Sequence, residues 1–280
     1  MKLQQVAGMN QNYRQYSYEY FLESMRIAGY ENIELWLGAP HIWIDSRGRW
    51  EIKKIAKQTK KAGLNIVSVT TPSGGAFQYQ YASQEKYHKE RSISYFINGV
   101  ITTAELGASI MTVNTGWGYW CDKESHAREK AIEILSTVCE VACREGITIA
   151  IESLTKDESL IGYNIQQISN IIKAIGSPVL KVMIDLSAIA FSKESSQLWF
   201  DTFGKDIIHF HFQDGDKSTP SDAHLPWGTG NFDLDSEIKC LEKNGYCGIL
   251  TQEIYGSQNP REDDMKNMMA LSQYLSDRGG

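Results

Sequence analysis

The sequence predicts one (β/α)8 barrel, an α/β fold, spanning residues 1–280. Short apolar, β-branched runs alternate with helix-periodic segments, and eight such strand–helix alternations can be counted. Helix after helix stops at a glycine and feeds straight into the next apolar run, as in a parallel sheet covered on both faces. No linker, low-complexity stretch or composition break divides the chain, and eight units in 280 residues suit a closed barrel better than an open doubly wound sheet.

Taken in order, Val6 to Met9 is the first apolar run, ending at Asn10-Gln11. Residues 17–28 have helical spacing and close at Gly29, a glycine C-cap. Asn32 to Trp36 is a strand with Glu34 inside it, followed by a loop carrying Gly38, Pro40, His41 and Trp43. Residues 50–62 read as a helix ending at Gly63, and Leu64 to Thr70 as the third strand, before the loop Thr71-Pro72-Ser73-Gly74-Gly75. A long amphipathic helix over 83–106 leads to the fourth strand, Ser109 to Val113. The helix over 124–145 stops at Gly146 and feeds the fifth strand, Ile147 to Glu152. Asn164 is a good N-cap for a helix to Ala174, and Val179 to Ile184 is the sixth strand, ending at Asp185. A weaker helix at 194–203 precedes the seventh strand, Ile207 to Phe212. A polar loop over 213–232, a helix near 233–243, the eighth strand Gly248 to Gln252 and a helix over about 260–276 complete the chain.

Composition excludes several classes. The chain is 42% hydrophobic, enough for a large core, and its formal net charge is -6. It has no long Lys/Arg run, so neither a nucleic-acid partner nor an anionic membrane surface is expected. The five cysteines form no CxxC pair, and Cys139 and Cys143 read as small buried hydrophobes on a helix, which suits a reducing compartment. No basic-then-apolar leader and no run of about 18 apolar residues appears, so a soluble cytoplasmic protein is expected.

The chemistry collects at the carboxyl ends of strands five to eight, which lie side by side on the top face of such a barrel. Those ends carry Glu152, Asp185, His211 and Glu253. Three carboxylates packed together repel unless a cation joins them, and a set of oxygens with one imidazole suits one divalent ion. Mn²⁺ is the first choice, and Mg²⁺, Co²⁺ and Zn²⁺ are compatible. His209 lies two residues before His211, faces the same way one layer deeper, and reads as a hydrogen-bonded core histidine.

These motifs resemble the xylose-isomerase-like barrel superfamily of sugar isomerases and epimerases, and within it the D-tagatose/D-psicose and fructoselysine 3-epimerases. The resemblance runs along essentially the whole chain. It rests on Ile33-Glu34-Leu35-Trp36 with Pro40-His41, Glu152-x-Leu154-Thr155-x-x-Glu158, Met183-Ile184-Asp185, His209-x-His211-x-x-Asp214, His224-x-Pro226-x-Gly228-x-Gly230, and Gly245-Tyr246-x-Gly248 leading to Glu253. The resemblance implies that Glu152, Asp185, His211 and Glu253 bind one metal, that Glu152 and Glu253 also move the proton, and that Glu158 contacts the substrate. Glu34, inside a matching motif, is counted among the substrate contacts. The implied reaction is C3 epimerisation of a ketose through a metal-stabilised enediolate, one carboxylate taking the proton and the other returning it to the opposite face. A homo-oligomer, dimer or tetramer, is also implied.

The chain departs from the tagatose-type pattern in two places. Ala188 stands three residues after Asp185, where those enzymes carry His, and Lys217 six after His211, where they carry Arg. Ala leaves room and removes a donor, while Lys keeps charge but loses the bidentate fork, which fits a ketose substituted at C1. Lys217 is then a substrate contact for an oxygen or carboxylate. Trp36, Trp43, Trp117, Tyr119, Trp120 and Trp227 supply a candidate apolar wall over the sugar, with Trp117 counted as a substrate contact. His224, after Asp222-Ala223, either braces the glycine-rich loop or binds substrate.

Three rival readings remain. An aldose–ketose isomerase of the hydroxypyruvate-isomerase type would use the same metal and shift the carbonyl between C1 and C2. An endonuclease IV-like phosphodiesterase matches Asp222-x-His224 but needs several metal ions, a His at position 188 and a basic face that this acidic chain lacks. A sugar-binding barrel without turnover would have no use for two candidate proton-transfer carboxylates, Glu152 and Glu253.

Overall fold

The computed structural model describes residues 1–74, 77–218 and 224–276. Eight parallel strands close into a barrel in chain order: β1 (Val6–Met9), β2 (Asn32–Trp36), β5 (Asn65–Thr70), β6 (Ile110–Asn114), β7 (Thr148–Glu152), β8 (Leu180–Asp185), β9 (Ile207–His211) and β10 (Ile249–Gln252). β1 pairs with β10 to complete the ring, with Val6 opposite Leu250. The strands are buried on both faces, as parallel strands under helices must be; Ile149, Ala150 and Ile151 of β7 are all fully buried. The expected barrel is therefore the observed one. Among the described residues, no helix is long and apolar enough to cross a membrane.

The outer helices are α1 (Tyr18–Ala28), α2 (Ile52–Lys61), α3 (Lys86–Glu105), α4 (Glu124–Glu145), α5 (Ile165–Ile175), α6 (Leu186–Phe191), α7 (Ser196–Phe203), α8 (Leu234–Lys243) and α9 (Pro260–Ser276). Local chemistry sets their ends. Ser17 caps α1 by accepting from the Tyr20 amide, and Asn164 caps α5 by accepting from that of Gln167. Gly29 ends α1 at φ 91° and Gly146 ends α4 at φ 70°, a left-handed conformation that a side chain disfavours. The last helix is tied to the first strand: Tyr13, just past β1, donates to Oδ2 of Asp264 on α9 at 2.5 Å.

Two features differ from the sequence reading. The loop after β2 contains a small antiparallel hairpin, β3 (Trp43–Ile44) with β4 (Arg49–Trp50), so Trp50 lies in a strand and α2 begins at Ile52. Two-residue strands carry no readable periodicity. An unexpected helix, α6, starts directly after β8, with Asp185 as its N-cap. Asp185 thus ends a strand and opens a helix at once.

Candidate active site

Glu152, Asp185 and His211 are the last residues of β7, β8 and β9, and Glu253 follows β10 directly. Register brings them level: Asp185 pairs with His211, and His211 with Thr251, two residues before Glu253. Nδ1 of His211 lies 2.9 Å from Oε1 of Glu152, 2.7 Å from Oε2 of Glu253 and 3.9 Å from Oδ2 of Asp185. Ligand-type atoms of all four residues fall within 4.8 Å of one another. Despite these short distances, Nδ1 is a buried atom that satisfies no hydrogen bond of good geometry among the described residues. Three carboxylates closed around an unused imidazole nitrogen fit a divalent cation, which would replace repulsion by coordination.

Burial and charge pull these groups apart. Burial pushes Glu152 up to about 8, partly offset by His211. Burial also acts to raise Glu253, but His211, His224 and the Tyr255 hydroxyl outweigh it and hold Glu253 below its ordinary value. Burial opposes a charged imidazole at His211, yet Glu253, Glu34 and Glu152 raise it well above its ordinary value. Without a metal, an imidazolium partly compensates the acidic ring.

Two of the candidate ligands, Asp185 and His211, are held from behind. Oδ1 of Asp185 accepts the Ala188 amide at 2.7 Å, and Oδ2 accepts Nε2 of Gln213 at 2.7 Å. Gln213 also donates to Ser187 at 2.9 Å and is fully buried. Beneath His211 stands Glu34, fully buried in the barrel interior. Its Oε2 lies 2.5 Å from Nε2 of His209 and accepts Thr251 at 2.6 Å, while its Oε1 accepts Thr70 and faces Nε2 of His211 at 3.3 Å. Burial would raise the Glu34 carboxyl, but His209 and His211 bring it well below the usual range. A carboxylate behind a ligating histidine fixes its tautomer and orientation.

A sequence profile described as xylose isomerase-like TIM barrel matches residues 22–274. The chain belongs to this family. Fructoselysine 3-epimerase of Shigella flexneri is 25% identical over 226 residues, covering 81% of each protein. D-psicose 3-epimerase of Agrobacterium fabrum is 22% identical over 275 residues, covering 91% of this chain and 92% of that protein. The crystal structure of a D-tagatose 3-epimerase-like protein superposes with a TM-score of 0.81 at 19% identity, covering 97% of both chains.

In this xylose isomerase-like barrel the four predicted ligands converge, and the other candidates divide. Glu158 lines the cavity above the ligands, about 270 Å³, together with Glu152, Glu253, Trp36, Asn114 and Tyr255. Trp117 lines an adjoining cavity of about 370 Å³, which also reaches Glu158. His224 stacks on Tyr255 with ring centroids 3.9 Å apart, and its Nδ1 lies 3.1 Å from the Glu253 carbonyl oxygen, so it braces the segment carrying Glu253. Glu34 sits below the ligands and outside the cavity lining. Lys217 is exposed, its ammonium 6.0 Å from the Phe232 ring centroid, and it lines neither cavity. Asp222 lies outside the described residues.

Of the aromatic wall, Trp36 borders the 270 Å³ cavity, whereas Trp227 is buried and donates its indole N–H to the Phe212 carbonyl at 2.9 Å. His209 makes the hydrogen-bonded core contacts expected of it. The reading missed Gln213 and Tyr255. Each lies two positions past a ligand, and period-two spacing from His211 and Glu253 was the available signal.

Proposed function

We propose that this barrel is a divalent-metal-dependent ketose 3-epimerase whose preferred substrate is a ketose substituted at C1, of the fructoselysine type. The observation that carries the reading is the placement of Glu152 and Glu253 at 2.9 and 2.7 Å from the same nitrogen of His211. They approach from β7 and β10, which β8 and β9 separate, so they reach the site from different sides. Inversion at a carbon next to a carbonyl needs such a pair, one group to take a proton and one to return it to the other face.

Glu152, Asp185, His211 and Glu253 would hold the cation, with Mn²⁺ the first choice for this oxygen-rich set. The cation would supply Lewis-acid stabilisation of negative charge developing on the ketose oxygens. One of Glu152 and Glu253 removes the C3 proton as general base. The other, as general acid, protonates C3 from the opposite face, so one turn leaves the pair's proton count unchanged. Trp36, Phe77 and Leu154 line the cavity and limit water around the reacting carbon. Asp185 keeps its place through Ala188 and Gln213. The C1-substituted substrate is supported by the similarity to a fructoselysine 3-epimerase, by the small Ala188 and by Lys217 standing away from the ligands.

NMR of a ketose incubated with metal-loaded protein in D₂O tests the reaction. Deuterium entering at C3, with a C3 epimer accumulating, is the expected result. Deuterium at C1 or C2 with an aldose product would make the chain an aldose–ketose isomerase, and no exchange would overturn both readings.

A further inference from the structure

The cavity above Glu152 and Glu253 adjoins a larger groove on the β2 side of the barrel. Trp36, Pro72 and Phe77 border both the cavity, about 270 Å³, and the groove, about 500 Å³. Aromatic side chains of Trp36, Trp43, Phe77 and Tyr79 form much of the groove, and Arg14 and Asp45 are its charged lining residues. Its volume falls within the range of small-molecule sites, about 300–1,000 Å³. One wall is the hairpin of β3 and β4, where Trp43 stands opposite Trp50. This hairpin is tied down. The Asp45 carbonyl accepts Nδ2 of Asn98 on α3 at 2.9 Å, the Ser46 amide donates to the Tyr79 hydroxyl at 3.2 Å, and Arg49 pairs with Glu105 at 2.6 Å.

The anchored hairpin holds Trp43 out in water: its side chain is 62% exposed, and Phe77 across the groove is 41% exposed. Large apolar faces presented together beside a cavity mark a surface that binds something. The polar groups narrow what that is. Arg14 has no hydrogen bond or ion pair among the described residues, and its guanidinium stands 6.0 Å from the Trp36 ring centroid. Asp45 accepts the Arg47 and Gly48 amides through Oδ1 at 2.6 and 3.1 Å, which leaves Oδ2 without those contacts. The groove therefore offers aromatic faces, one cationic donor and one anionic acceptor, with the two charges balanced. An anionic ligand would meet Asp45 and a cationic one Arg14. An alkyl chain would desolvate both without a hydrogen bond in return. A pyranose ring suits all three features, because its C–H face packs on an aromatic ring while its hydroxyls both donate and accept.

Barrel geometry sets which end of a ketose would reach the groove. In the closed ring β2 stands directly across from β8, with three strands between them on either side. Trp36 ends β2, and Ala188 lies in α6, which follows β8. A ketose whose C1 end lies toward Ala188 therefore turns its C6 end toward Trp36 and the groove. We infer that the groove is a glycosyl subsite, taking a hexopyranosyl group carried at the C6 end of the ketose. The inference concerns the opposite end of the sugar from C1, and it rests on the 3-epimerase reading for the direction in which the ketose lies.

Fructose, 6-O-α-D-glucopyranosylfructose, 6-O-butylfructose and fructose 6-phosphate test it. Kd by calorimetry on Mn²⁺-loaded protein and deuterium exchange at C3 in D₂O are read for each. The glucosyl compound should bind about tenfold more tightly than fructose, the scale of burying one ring face on an aromatic wall. It should also bind more tightly than the butyl and phosphate compounds. Trp43→Ala should lose most of that preference, Trp43→Phe should keep most of it, and Arg14→Ala should lose part of it. Trp43 is exposed on a two-residue strand, so the barrel should fold without its indole. Equal Kd values for fructose and the glucosyl compound, or an unchanged ratio in Trp43→Ala, would overturn the subsite even if exchange at C3 proceeds. Tightest binding of the butyl compound would make the groove a plain apolar wall, and tightest binding of the phosphate an anion site; either result overturns the glycosyl assignment. A glucosyl preference that depends on Trp43, with no exchange at C3 of any compound, would uphold the subsite and overturn the epimerase reading.

Discussion

Oε1 of Glu34 lies 3.3 Å from Nε2 of His211, while Nδ1 of the same ring faces the three carboxylates of the site. The two edges of one imidazole therefore have separate tasks. Nε2 is held from below by a buried acid, and Nδ1 faces upward, where it could serve as a metal ligand. The charge of Glu34 is matched within the interior by His209 and His211 and by hydroxyls of Thr70 and Thr251.

Glu34→Gln should therefore act on the metal without touching the substrate. The amide brings N–H groups to a place where every neighbour donates. Metal affinity should fall by roughly 10–100-fold, the usual effect of losing such a partner. Stability of the metal-free protein should fall by about 3 kcal/mol, the scale for removing one partner of a buried charged network. Chelator competition and urea unfolding measure the two effects. Unchanged metal affinity would show that Glu34 does not orient His211.

Gln213→Leu tests what holds Asp185 in place. It removes the 2.7 Å contact to Asp185 and the 2.9 Å contact to Ser187, together with an amide oxygen that is buried and has no partner among the described residues. Metal affinity should fall by about tenfold or more, and metal-free stability by roughly 1–3 kcal/mol because two buried groups lose their donor. A large drop in metal-free stability with full metal affinity would contradict this role.

Glu152→Gln and Glu253→Gln should each lower kcat by roughly 10²–10⁴-fold, the range contributed by a general acid or base. Metal occupancy, followed by elemental analysis, must be restored with excess ion before rates are compared. Near-normal turnover of both variants with metal bound would exclude them as the proton-transfer pair.

Asp264 offers a pH test away from the metal. Burial, with the charge of Asp263 nearby, raises its carboxyl from 3.8 to about 7 against the hydrogen bonds from Tyr13 and Tyr30, which lower it. Between those values the folded protein binds a proton that the unfolded chain has released. The stability associated with this group is therefore full below 3.8 and is lost as pH rises to about 7. The loss is on the order of 4 kcal/mol, at about 1.4 kcal/mol per unit. Asp264→Asn keeps an acceptor for Tyr13 and does not titrate, so relative to wild type it should gain stability from pH 5 to about pH 7 and level off above that. Parallel urea unfolding of both proteins across that range reads the difference, and a constant offset would refute the assignment.

The barrel and the convergence of the four candidate ligands were legible because both depend on local pattern. An apolar β-branched run closed by a helix-ending glycine announces a parallel strand, and a carboxylate or histidine at its far end falls on the top face in any such barrel. That is why Glu152, Asp185, His211 and Glu253 could be named from their positions alone. Tertiary structure alone decided what surrounds them. Glu34 meets His209 across 175 residues of chain, and nothing near Glu34 in sequence distinguishes an acid facing substrate from one locked beneath a ligand. Lys217 occupies a position that suggests a substrate contact, yet the loop carries its side chain out over Phe232. Asp185 could be read as a strand end, but its second task as the cap of α6 depends on the chain turning directly into a helix there. Local sequence sets the period and the ends of each element. Which side chains share a layer, and which buried charges find partners, is settled only when β1 meets β10 and the barrel closes.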